Sequence, residues 1–399
     1  MKEADAGRES RTNPLAKHYS RFRVAERLLL TGHSHQAWPD AGFEGQIEAW
    51  SDAAELVDDK WERAFAKADR VRQGYAGLLG AATDEIALGT STFELVTRFL
   101  SALPLAERPR FVSTDGEFHT LRRLLDRLAE TGALEIVKIA AEPVETLAER
   151  LAAAIDDRTT AALLSSVLYV SSRIVPDLRV VAEACGRAGA ELLLDAYHQV
   201  NVVPLSLERD GLAEAFVVGG GYKYCQLGEG NCFLRVPPGR EAMRPVLTGW
   251  YSEHATLSAV KRDAVAYGDG PLRWAGSTYD PTSHYRAARV FDFFEAERLT
   301  PERLRQVSQH QVGLLAGSFD ALDLDPRVIA RPRDVPLEGL GGFLSLRSPR
   351  AGEISARLKV RGVSTDFRGT ALRLGPAPYL ADAQLTDAIG ILGEVVKNV

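Results

Sequence analysis

Two places in the chain offer reactive groups where an open sheet would present them. Asp195 closes the apolar run Glu191-Leu192-Leu193-Leu194, and His198 follows in Asp195-Ala196-Tyr197-His198. Lys223 stands in Gly219-Gly220-Gly221-Tyr222-Lys223-Tyr224, directly after the apolar stretch Ala215–Val218. Ligands of open parallel sheets gather at the carboxyl ends of strands, so both groups fall at the expected rim. Taken singly, Asp195 and His198 read as a helix-capping aspartate and a surface histidine, and Lys223 as a solvated loop lysine. Together they offer a different chemistry. A lysine that forms an imine and a carboxylate that keeps a pyridine nitrogen protonated are what pyridoxal 5'-phosphate (PLP) asks of a protein. The three glycines allow close backbone approach beside the lysine.

A phosphate needs its own cradle. Gly89-Thr90-Ser91-Thr92 precedes a helix expected over Thr92–Leu103, placing hydroxyls and free N–H groups at a helix N-terminus. The same segment also reads as a plain Ser/Thr cap. Gly276-Ser277-Thr278 is a second hydroxyl cluster. Late in the chain, Asp366-Phe367-Arg368 precedes Leu372-Arg373-Leu374-Gly375-Pro376. An arginine between two leucines on a strand suggests a recruited guanidinium whose planar fork suits a substrate carboxylate; a structural salt bridge is the competing reading.

The elements that must position these groups follow from periodicity. Apolar residues from Ile47 and Trp50 through Trp61, Phe65 and Val71 to Leu78 recur at gaps of three and four, which predicts a long amphipathic helix over Gln46–Gly80 with a break at Asp58-Asp59. Beyond it, strands expected at Arg110–Ser113, Leu134–Ile139, Thr160–Ser166, Glu191–Asp195, Ala215–Gly219 and Cys232–Val236 alternate with helices at Thr120–Glu130, Val144–Ile155 and Asp177–Ala188. Asp177 is the expected N-cap of the last of these, and Gly189 its terminator. Continuous apolar strands separated by helices indicate a mainly parallel sheet covered on both faces. Two long helices (Ser283–Arg298 and Pro301–Asp320) and a mixed C-terminal segment follow. The expected division is a large α/β domain over 46–281 and a smaller α+β domain from 1–45 and 282–399.

With 399 residues, 45% hydrophobic and 26% charged, the chain has the composition of a globular protein and not of a disordered one. A net charge of −6 leaves no electrostatic footprint for nucleic acid. Three scattered cysteines (Cys185, Cys225, Cys232) suit neither a disulfide framework nor a thiolate metal site, and a reducing, cytoplasmic setting is expected. No metal is expected. The segment Met1–Arg23 lacks an apolar core, so it reads as a loosely ordered lead-in and not a secretory signal. No apolar run approaches membrane-spanning length.

The motifs also carry a resemblance. Asp195-Ala196-Tyr197-His198 with Gly221-Tyr222-Lys223-Tyr224 resembles the D-x-x-H and S-Y-K-Y signatures of kynureninase, in the class V aminotransferase branch of fold-type I PLP enzymes. The tail from Asp366-Phe367-Arg368 to Arg373-Leu374-Gly375-Pro376-Ala377-Pro378 looks like the arginine-bearing segment of that family. The likeness runs from about Leu29 to the C-terminus. It implies a fold-type I architecture with a seven-stranded-type sheet, PLP as cofactor, an amino-acid substrate and a homodimer. It also implies roles, residue by residue. Lys223 would be the Schiff-base lysine, Asp195 the partner of the pyridine nitrogen, and His198 a neighbour of the phenolic oxygen. Tyr222 would reach the phosphate or transfer a proton, and Ser91 and Thr92 would bind the phosphate. Phe118 would stack on the ring, or His119 in its place as in the related desulfurases, with Ser165 beside the ring. Trp250, Ser277 and Thr278 would close the phosphate site from a second subunit, and Arg373 would hold the α-carboxylate.

Three departures bear on the substrate. Gly32-His33-Ser34-His35-Gln36 replaces the family's G-N-S-L-G, which makes His33 and His35 candidates for reading the substrate side chain. Gly221 replaces a serine, and Ser277-Thr278 an Asn-Pro pair. Hydrolytic C–C cleavage releasing alanine is the first expectation; a class V aminotransferase or another PLP-dependent lyase is the alternative. Persulfide chemistry is disfavoured because no cysteine follows Cys232.

Overall fold

The computed structural model describes residues 13–256 and 264–398. In chain order the strands are β1 (Leu28–Leu29), β2 (Ile86–Gly89), β3 (Arg110–Thr114), β4 (Glu135–Ile139), β5 (Thr159–Ser165), β6 (Glu191–Asp195), β7 (Phe216–Gly220), β8 (Cys232–Arg235), β9 (Leu344–Arg347), β10 (Val363–Ser364), β11 (Asp366–Arg368) and β12 (Ala371–Leu374). The helices are α1 (Asp40–Leu56), α2 (Trp61–Leu79), α3 (Thr92–Ser101), α4 (His119–Glu130), α5 (Leu147–Ala154), α6 (Leu178–Ala188), α7 (Thr282–Ala296), α8 (Pro301–Asp320), α9 (Ala351–Val360) and α10 (Asp382–Lys397).

Seven strands form one sheet in the order β2-β8-β7-β6-β5-β3-β4. All neighbours are parallel except β8, which runs antiparallel to both β2 and β7. Alternate residues of each central strand enter two separate cores. Val112, Ala162, Leu164, Leu192, Leu194 and Val217 pack on one face; Phe111, Ala161, Leu163, Leu193, Phe216 and Val218 pack on the other. That two-sided burial is why these strands read as unbroken apolar runs. The second unit holds an antiparallel sheet in the order β11-β12-β9 and the parallel pair β1–β10. The chain thus has the expected α/β architecture around a mainly parallel sheet.

Several elements differ from the sequence reading. The first long helix breaks into α1 and α2 across 57–60 as expected, with Val57 at φ +52°, but it starts at Asp40 and not at Gln46. Strand β2 was not expected. On α1 the buried positions are Gly42, Gly45, Ala49 and Asp52, while Ile47 and Trp50 face outward. The reason is close helix packing: a Cβ on Gly45 would lie 2.5 Å from the Tyr285 carbonyl oxygen of α7. Asp177 sits at the start of α6 in the left-handed region (φ +53°) and makes no side-chain cap, although Gly189 ends the helix as expected. Of the N-terminal lead-in, residues 1–12 lie outside the described residues. Pro14–Phe22, however, form a 3-10 helix whose Tyr19 is fully buried and donates to Gln226 Oε1 at 2.5 Å. Ala287, Val290, Phe291 and Phe294 of α7 and Leu304 of α8 pack in the large unit, and only from Val312 onward does α8 join the smaller core.

Candidate active site

The C-terminal ends of β5, β6 and β7 lie side by side, with Ser165 opposite Asp195 and Asp195 opposite Val218. Asp195 Oδ1 accepts the Tyr197 N–H at 2.9 Å. Burial pushes its carboxyl up, against that hydrogen bond and the nearby Lys223 charge. The turn after β7 delivers Lys223 inward. Its glycines are demanded by contact: a Cβ on Gly220 would lie 2.5 Å from the Tyr197 hydroxyl, and one on Gly221 2.6 Å from Leu227 Cβ. The family's serine therefore has no room at position 221.

Lys223 is buried, with Nζ 2.7 Å from His198 Nε2 and over the rings of Tyr197 (4.8 Å) and Phe118 (5.3 Å). Burial lowers its pKa to about 7, with Asp195 opposing. Burial, followed by the Lys223 charge, also lowers His198, so the imidazole is neutral. Among the described residues Lys223 has no carboxylate at ion-pair distance. A buried amine held without a salt bridge is a strained choice for structure and a suitable one for covalent chemistry.

A cavity of about 290 Å³ surrounds this amine, lined by Ser91, Thr92, Phe118, Asp195, His198 and Tyr222 among others. Ser91 caps α3, its Oγ accepting the Glu94 N–H at 3.2 Å. Phe118, the residue before α4, lines the cavity; His119 is turned out against Tyr169, at 5.6 Å between rings. The hydroxyl of Tyr222 is pushed up to about 12 by burial. Its ring stacks on exposed His35 at 4.7 Å. Ser165 does not reach the cavity wall; it donates to Glu117 Oε2 at 2.7 Å, and Glu117 Oε1 accepts from Thr114 at 2.5 Å. Trp250 donates to Thr278 Oγ1 at 3.3 Å on the exposed surface. Ser277 lines a neighbouring hollow of about 720 Å³ that shares Thr90 with the cavity.

Arg373 is buried beyond Phe343, which lies 5.7 Å below the guanidinium and 6.4 Å from the His198 ring. Its Nε donates to Asp366 Oδ1 at 2.9 Å and its Nη1 to the Tyr169 carbonyl at 2.6 Å. His33 is fully buried behind this pair, with Nε2 2.8 Å from Asp366 Oδ1. None of His33, His35 and Arg373 lines the cavity; His33, fully buried and held on Asp366, is the one that has no face to offer the substrate side chain it was expected to read.

The sequence reading passed over Glu117, Tyr169, Phe343 and Cys232. Glu117 was visible as the neighbour of Phe118; Tyr169 and Phe343 carry no local signal. Cys232 lines the cavity, its thiol pushed up to about 12 by burial. Among the described residues no His, Cys, Asp and Glu side chains cluster as a metal site, and no helix is long and apolar enough to cross a membrane. The donor set fits PLP: a buried amine without an ion pair, a carboxylate on the adjacent strand end, an aromatic face over the amine, and a hydroxyl-capped helix start.

No family model matches the chain. Among curated proteins it is 26% identical over 419 residues to a kynureninase of Burkholderia mallei (strain SAVP1), covering 97% of this chain and 94% of that one. It is 28% identical over 361 residues to a kynureninase of Deinococcus radiodurans, covering 88% and 83%. An uncharacterized aminotransferase of Bacillus subtilis matches at 23% over 345 residues, covering 86% and 88%. Among solved structures, a C-DES mutant with glycine covalently linked to its PLP cofactor superposes with a TM-score of 0.83 at 14% identity, covering 96% of this chain and 99% of that one. A cysteine desulfurase of Thermococcus onnurineus superposes with a TM-score of 0.81 at 17% identity, covering 97% and 99%.

Proposed function

We propose that this chain, kynureninase-like in sequence and built on the class V aminotransferase fold, is a PLP-dependent enzyme acting on an amino acid. We infer further that it hydrolyses the Cβ–Cγ bond of a kynurenine-like substrate and releases alanine. The observation that carries the reading is the buried Lys223 amine, without an ion pair, one strand end from the Asp195 carboxylate.

Lys223 would hold the cofactor covalently, Asp195 would face its pyridine nitrogen, and Phe118 would cover its ring. His198 would neighbour its phenolic oxygen. Ser91 and Thr92 would meet its phosphate, with Trp250, Ser277 and Thr278 reaching it from a second subunit. When bound, PLP supplies an electron sink for negative charge developing beside the substrate nitrogen. The chain's own residues do the rest. A lysine with a pKa near 7 both accepts and returns the α-proton at neutral pH. Arg373 holds the α-carboxylate and so fixes which bond faces the sink. Tyr222 keeps its proton well past neutrality and donates a hydrogen bond to the departing fragment. His35, exposed and stacked on Tyr222, would meet the substrate side chain.

Borohydride reduction followed by peptide mass spectrometry should place the cofactor adduct on Lys223, and kynurenine or 3-hydroxykynurenine should yield alanine. An adduct on another lysine overturns the site. If kynurenines give no alanine while another amino acid exchanges its amino group with a keto acid, the aminotransferase reading, favoured by the Bacillus relative, takes its place.

A further inference from the structure

The Arg373 guanidinium is not an open fork. Its Nε and Nη2 edge faces both oxygens of Asp366, and Nη1 reaches the Tyr169 carbonyl. What remains for a ligand is the end of the group, between Nη1 and Nη2. Asp366 is fixed in turn by His33, whose Nε2 lies 2.8 Å from the same oxygen that accepts from Arg373 Nε. His33 itself cannot swing. Its ring lies 4.6 Å from that of Phe343, and its backbone is clamped where Gly32 N–H meets the Gly375 carbonyl at 2.7 Å. A Cβ on Gly375 would come within 2.2 Å of His33 Nδ1. The histidine is thus packed from the N-terminal segment against the end of β12, one residue beyond the strand that carries Arg373.

We propose that His33 and Asp366 are positioning residues: His33 donates to Asp366, Asp366 holds the inner edge of Arg373, and the arginine presents only its end to the substrate carboxylate. The inference rests on the reading of Arg373 as the α-carboxylate holder. The consequence is selectivity for one small, end-on carboxylate, with the guanidinium charge already balanced before substrate arrives. Such an arrangement makes the grip on a carboxylate depend on Asp366 and His33 as well as on the arginine itself.

The test uses the PLP-loaded protein and two probes, propionate and propylamine, each followed by its perturbation of cofactor absorbance. His33→Ala should weaken propionate at least tenfold, the loss of one hydrogen bond to a charged group, and leave the propylamine response unchanged. Asp366→Asn should do the same. His33→Gln, whose amide nitrogen sits where Nε2 does and can still donate to Asp366, should recover most of the propionate affinity. With substrate, the His33 variants should raise KM and hold kcat within about twofold. Equal propionate affinity in His33→Ala, His33→Gln and the parent protein overturns the proposal, as does a parallel loss of propionate and propylamine responses. If the parent protein shows no cofactor absorbance, the functional reading fails instead, and the two failures are distinct. Should His33→Ala not fold, His33→Gln and Asp366→Asn decide the matter.

Discussion

At the level of single residues, proton affinity is where the site differs most from a folded surface. Lys223 titrates near 7 because burial penalises its charged form. Its unfolded value of 10.5 is higher, so between about pH 7 and 10.5 the unfolded chain binds more protons than the folded one. The apoprotein should therefore gain stability as pH rises through that window, by at most about 1.4 kcal/mol per pH unit. Melting temperatures of the apoprotein compared with Lys223→Met, which lacks the group, measure this: the difference between them should narrow from pH 7 to pH 10. Capture of PLP should also accelerate as pH rises through about 7, where the neutral amine becomes the major form, and level off above. A capture rate flat from pH 6 to 9 contradicts a buried, neutralised Lys223. The placing of Lys223 and Asp195 at neighbouring strand ends was legible because strand ends fix where side chains emerge. Phe343 and Tyr169 were not legible, because each acquires its place only through segments distant in sequence: Phe343 between His33, His198 and Arg373, and Tyr169 against Phe118 with its carbonyl on Arg373.

Elements were legible where one face decides the pattern, and misread where contact decides it. The strands β3, β5, β6 and β7 are buried on both faces, and their apolar runs announced them. Helix α1 misled, since its apolar stripe is not the face it buries; glycines and alanine lie against α7, and only the packed partner shows why. The turn between β7 and Lys223 gives the sharpest element-scale prediction. Gly221→Ser restores the residue that the resembled family carries. Its Cβ would sit 2.6 Å from Leu227 Cβ, so the loop holding Lys223 must shift. We expect a loss of about 1–3 kcal/mol in stability and weaker PLP retention, read by thermal unfolding and by dialysis against a cofactor trap. A Gly221→Ser protein as stable as the parent would show that Leu227 yields freely and that the glycine has another cause.

For the whole molecule, the question is what covers the apolar groups the fold leaves outside. Phe43, Ile47 and Trp50 of α1 are spaced at four and three residues, so they form one stripe, and they are 38%, 49% and 79% exposed. Phe93, at the start of α3, and Trp250, beside Thr278, are exposed as well. A large aromatic side chain left in water on a helix whose inner face is already packed is a feature of an interface. Closed two-fold symmetry is the commonest way to bury such a stripe, and it would also bring a second chain toward the exposed Trp250, Ser277 and Thr278. We therefore expect a homodimer in sedimentation velocity. Because Trp50 makes little use of its own chain's core, Trp50→Glu should leave the protomer folded by circular dichroism while shifting the population toward monomer. If the phosphate site is closed across the interface, that monomer should also bind PLP more weakly than the parent. A parent protein that sediments as a monomer with full PLP occupancy would remove the second subunit from the site, and Ser277 and Thr278 with it.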